Sequence, residues 1–163
     1  MGWFNRKQKD VVKKDVAKIE KEQCNKEFEE FERRQDRLNK LMDIAEQAIK
    51  AYEMSIIILK QEYRHAISLK SSYMRSKAYK ELQDKLIFAE ASFEAVQIAF
   101  KEAKEELLFF KDFFKDKGNA HFYSRVEENI AHVDKVLSLR LEEEEDYMDI
   151  KYFCKEKLEE TIL

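Results

Sequence analysis

The chain has 163 residues, 40% charged and 44% hydrophobic, enough for one domain's core under a dense ionic coat, which excludes a disordered composition and two ordinary domains. The net charge of −3 gives no global basic field, so nucleic acid is disfavoured as a partner. With no proline and only Gly2 and Gly118, the chain has few residues able to break helices, and the composition predicts an all-α fold of few, long helices.

Residues 1–22 read as a basic amphipathic arm. Trp3, Phe4, Val11, Val12, Val16 and Ile19 give it an apolar side, while Arg6, Lys7, Lys9, Lys13, Lys14, Lys18 and Lys21 outnumber the acids. Covering such a stripe is worth several kcal/mol, at roughly 1.5 to 3 kcal/mol per large side chain. Three covers are possible: another protein chain, the arm's own bundle if it folds back, or an anionic membrane surface.

Residues 23–163 are expected to form the helical bundle. From Cys24 to Ala66, a heptad seam through Phe28, Phe31, Leu38, Met42, Ala45, Ile49, Tyr52, Ile56, Leu59 and Tyr63 predicts a first helix over about 23–70. A second stripe of Leu41, Ile44, Ala48, Ala51, Ser55 and Ile58 predicts that this helix touches two neighbours. Ser71-Ser72 is the first plausible break, and a seam from Tyr79 through Leu82, Leu86, Ala89, Val96, Phe100, Leu107 and Phe110 to Phe114 predicts a second helix over 73–117. In it, Leu108, Phe109 and Phe113 lie off the core stripe and call for a second cover, from the third helix, the folded-back arm or another chain.

Lys117-Gly118-Asn119 is the surest stop, with glycine free to take the left-handed cap conformation. Beyond it Tyr123, Val126, Ile130, Val133 and Leu137 open a third helix, expected over 120–161, whose pattern loosens and resumes at Tyr147. Between lie Glu142, Glu143, Glu144, Glu145 and Asp146, which sweep about 500° of helix. An unbroken helix would turn at least one carboxylate inward at high cost, so either the helix bends there or an acidic layer stands ready for a basic partner. Short connections make the architecture an elongated antiparallel bundle of three long helices with coiled-coil-like heptad packing, its N-terminal arm overhanging or folded back.

Catalytic chemistry has little to stand on. Glu62 and His65 form the only Glu-x-x-His pair, and the predicted register sets His65 far from His121, so no metal site and no cofactor is expected. Cys24 and Cys154 lack ligand spacing and fall at opposite ends of the predicted bundle, which argues against a disulfide and for a reducing cytoplasm. No apolar run approaches the roughly 20 residues of a membrane span, and no targeting segment is read from the N-terminus. The sequence therefore points to a non-enzymatic helical scaffold or interaction protein that self-associates or docks with another helical protein in a larger assembly. Two alternatives follow from the same residues: a peripheral membrane protein using its basic Trp/Phe-tipped start, and a carboxylate-bridged metal-binding bundle.

Overall fold

The computed structural model describes the backbone of residues 6–162 and the side chains of 17–157 and 160; Trp3 and Phe4, and the side chains of Val11, Val12 and Val16, lie outside the described residues. Every regular element among these residues is helical: α1 (Arg6–Ser68), α2 (Ser72–Asp116), α3 (Ala120–Leu137), a 3₁₀ turn (Leu141–Glu143) and α4 (Tyr147–Ile162). Two corrections to the sequence reading follow. Helix α1 is continuous from Arg6 through the boundary expected at 22/23. The third helix expected over 120–161 is two helices, so four helices stand where three were expected.

The chain divides into two compact units, residues 1–39 and 40–163. In the first, the described side chains lie on α1 and are mostly solvent-facing; Phe31, Arg34 and Leu38 are half-buried, and Phe28 is exposed. Glu30 accepts from Arg34 at 3.0 Å and from Arg33 at 3.3 Å, the one-turn spacing at which helical neighbours meet. These are exposed pairs and contribute little to stability.

The second unit holds the core. The end of α1 and the start of α2 turn at Ser71, whose hydroxyl caps α2 by accepting from the Met74 amide at 3.5 Å. Along α2, Leu82, Leu86, Ala89, Val96, Phe100, Ala103, Leu107 and Phe110 are buried, so the apolar stripe faces inward over most of its length. Facing it from α1 are Leu41, Ala45, Tyr52, Ile56, Leu59 and Ala66, and the two long helices pack together, with Tyr52 against Phe93 at 5.4 Å between ring centroids. The second stripe of α1 is covered only in part: Leu41 and Ser55 are buried, Ala48 and Ile58 half-buried, Ile44 and Ala51 open.

Helix α3 runs antiparallel to α2. Phe114 stacks on Phe122 beside the turn, and Lys111–Glu127 (3.4 Å) and Lys104–Asp134 (2.6 Å) follow farther from it. The turn itself is closed by Gly118 at φ +65°, with the Asn119 amide donating to the Phe114 carbonyl at 3.0 Å, and the Asn119 side chain then caps α3. Val126, Val133 and Val136 fill the inner side of α3, and Ile150 and Cys154 that of α4.

Candidate functional site

The chain breaks helix where its acids are densest. After α3 ends at Leu137, Leu141 is buried and anchors the connection, and Asp146 takes a left-handed conformation (φ 66°) that starts α4 with its carbonyl accepting from the Ile150 amide. Continuing the helix would have wrapped carboxylates around its whole circumference. The break sorts them instead. Glu144 accepts from the Tyr52 hydroxyl at 3.1 Å and lies 3.7 Å from Lys60 of α1, and Asp146 lies 4.0 Å from Arg64. Glu142, Glu143 and Glu145 stay exposed.

A second group locks α4 to α2. The Tyr147 hydroxyl donates to Glu90 at 2.7 Å, with Lys151 3.9 Å from the same carboxylate, and the Tyr79 hydroxyl donates to the Cys154 carbonyl at 2.7 Å while accepting from Gln83. Tyr63 and Tyr79 both set their rings edge-on against Phe153. Burial, reinforced by the carboxylates beside them, pushes the Tyr52 and Tyr147 phenols well above their usual range. Burial and the Glu90 charge push the Cys154 thiol up to about 11. At neutral pH these phenols are therefore neutral donors and the thiol is protonated, and their hydrogen bonds tie α4 to α1 and α2.

The predicted aromatic surplus sits at the other end of α2. Phe109 and Phe113 are half-buried and stack at 6.2 Å between centroids; Phe110 and Phe114 stack in the same way one residue on. Part of the second cover expected for Phe109 and Phe113 is thus supplied by neighbours one turn along the same helix. Leu108 remains exposed, as do Ile19 in the first unit and Phe122 of α3.

Among the described residues no three His, Cys, Asp or Glu side chains come close enough to hold a metal ion. His65, His121 and His132 are exposed, and both cysteines are free, Cys24 at the surface and Cys154 in the core. A cavity of about 490 Å³ lies where the α1–α2 turn meets α4, lined by Ala66, Ser72, Ser76, Tyr79 and Phe153 among others, with Lys157 paired to Glu160 at 2.7 Å in its wall. No helix among the described residues is long and apolar enough to cross a membrane. No protein-family model, no curated protein and no solved structure matches the chain.

Sequence reasoning missed the tyrosine latches. Each joins residues far apart in the chain, so no local spacing announces it. Their only signal was the placement of Tyr52, Tyr79 and Tyr147 on core seams, where a buried phenol needs a partner for its hydroxyl.

Proposed function

We propose that the protein is a non-enzymatic helical interaction module, an antiparallel bundle with heptad-type packing that self-associates or docks against another helical protein. The observation that carries this reading is apolar surface left open on both long helices, in the last quarter of α1 and the middle of α2. The charge-free stretch Met54–Leu59 of α1 has Met54 and Ile57 more than half exposed, and α2 exposes Ile87, Phe88 and Ile98 to the same degree. A helix that is apolar on nearly every side is expected to be covered on more than one of them. Single exposed hydrophobics need no explanation, but these cluster, Met54 and Ile57 one turn apart on α1 and Ile87 beside Phe88 on α2. The arm residues Trp3 to Ile19, Leu108 beside Phe109 and Phe113, and the free acids Glu142, Glu143 and Glu145 are further candidate contacts. The two free cysteines fit a reducing cytoplasm.

The reading is tested by sizing the chain in a lysate of its own cells and after purification, against the 19.7 kDa of one chain. A larger particle in either sample is expected. A single-chain mass in both would contradict it.

A further inference from the structure

We propose that the outer face of α2 is a dimer seam for a second copy of this chain, the two α2 helices running antiparallel about a two-fold axis at Ala91; the proposal rests on the interaction-module reading and names its partner. On the side of α2 away from the core, Phe88, Ala91, Ala95 and Ile98 follow in steps of three, four and three, and all four are exposed. Phe88 and Ile98 keep 56% and 53% of their surface open, and Ile87 beside them 64%. The small pair Ala91 and Ala95 lets another helix approach closely between the larger residues. The same spacing carried outward reaches Lys77 in one direction and Glu105 in the other. That distance is about four heptads, or roughly 42 Å of helix, with an apolar centre at Phe88 to Ile98 and charged residues at the seam positions on either side.

Charge decides the occupant and its direction. An antiparallel copy centred on Ala91 places Lys77 opposite Glu105, Lys80 opposite Glu102 and Glu81 opposite Lys101 of the second chain, so three pairs in one register are all of opposite sign. The two-fold axis repeats them, giving six. A parallel copy would set Lys77 on Lys77 and Glu102 on Glu102. All six residues of the three pairs are exposed, and none forms an ion pair within the chain among the described residues. The apolar centre alone spans only about 15 Å, short for a stable interface, so the charged ends are part of the recognition and select a copy of the same sequence. Asp84 falls opposite Ile98 and Glu94 opposite Phe88 in this register, the two mismatched contacts of the apolar centre.

Sedimentation equilibrium of the intact chain tests the seam. The wild type is expected to be a dimer. The K77E/K80E variant and, separately, the E102K/E105K variant are each expected to dissociate at least about tenfold more readily, each with unchanged helical circular dichroism because all four positions are exposed. An equimolar mixture of the two variants restores every pair and is expected to return the dimer. A wild type that stays monomeric to about 100 μM overturns the seam. If it nonetheless runs as a larger particle in its own lysate, the interaction-module reading stands with a different partner. A dimer indifferent to both charge reversals, or a mixture that does not recover, overturns the seam and leaves self-association through another surface.

Discussion

Two turns in this molecule are closed by a residue in the left-handed region, and they are built from opposite materials. At the α2–α3 turn the residue is Gly118, and the helices beside it are held by stacked phenylalanines, Phe110 on Phe114 and Phe114 on Phe122. At the start of α4 it is Asp146, and the surrounding helices are held by phenol hydroxyls donated to carboxylates and to a carbonyl. The first end depends on apolar area, which is forgiving of small displacements. The second depends on hydrogen-bond geometry, which fixes where α4 sits along α1 and α2.

The sharpest way to break the phenylalanine end is Phe110→Ala, which empties a buried ring position and is expected to cost about 3 to 5 kcal/mol in denaturant unfolding. On the tyrosine end, Tyr147→Phe keeps the packing and removes one charge-assisted bond. Because Glu90 is partly exposed and can be rehydrated, a loss of about 1 to 2 kcal/mol is expected, against no change for Phe122→Tyr at the exposed edge of the other end.

Alkaline titration should separate the two ends as well. The folded-state thiol of Cys154 is raised from an ordinary 9.0 to about 11, so the stability tied to its neutral form is complete below about pH 9 and lost as pH rises through about 11. Tyr52 and Tyr147, also raised, extend the loss in the same direction above pH 10. A melting-temperature series is expected to fall across this range, and less steeply in Cys154→Ala. Thiol labelling of the native protein should modify Cys24 and spare Cys154.

The smallest effects have opposite signs. A Cβ added at Gly118 meets nothing within 4 Å, so Gly118→Ala carries only the backbone penalty of its positive φ, about 1 kcal/mol of destabilisation. Asp146→Gly relieves the same strain and gives up only a long, mostly exposed contact to Arg64. It is expected to be neutral or stabilising by up to about 1 kcal/mol.

The same contrast explains what could be read in advance. Gly118 and the seam of α2 were legible because glycine rarity and seven-residue spacing are local signals. The break near Glu142–Asp146 was half legible: five adjacent acids ruled out a buried continuous helix, yet nothing local showed that Asp146 would take the conformation usually left to glycine. The partners of Phe109 and Phe113 could have been read, since stacking four residues along one helix follows from its pitch. The latches from Tyr52 to Glu144 and from Tyr147 to Glu90 could not, because they depend on how α4 lands after the break.

The proposed interaction module uses the open apolar side of its long helices as a contact surface. Light scattering on the intact wild type and on the F88S/I98S variant, both checked for helicity, tests it most directly. The wild type is expected to have a mass above the 19.7 kDa of one chain and the variant a mass at that value. Equal masses above that value would contradict it, as would a single-chain mass for the wild type both purified and in its own lysate.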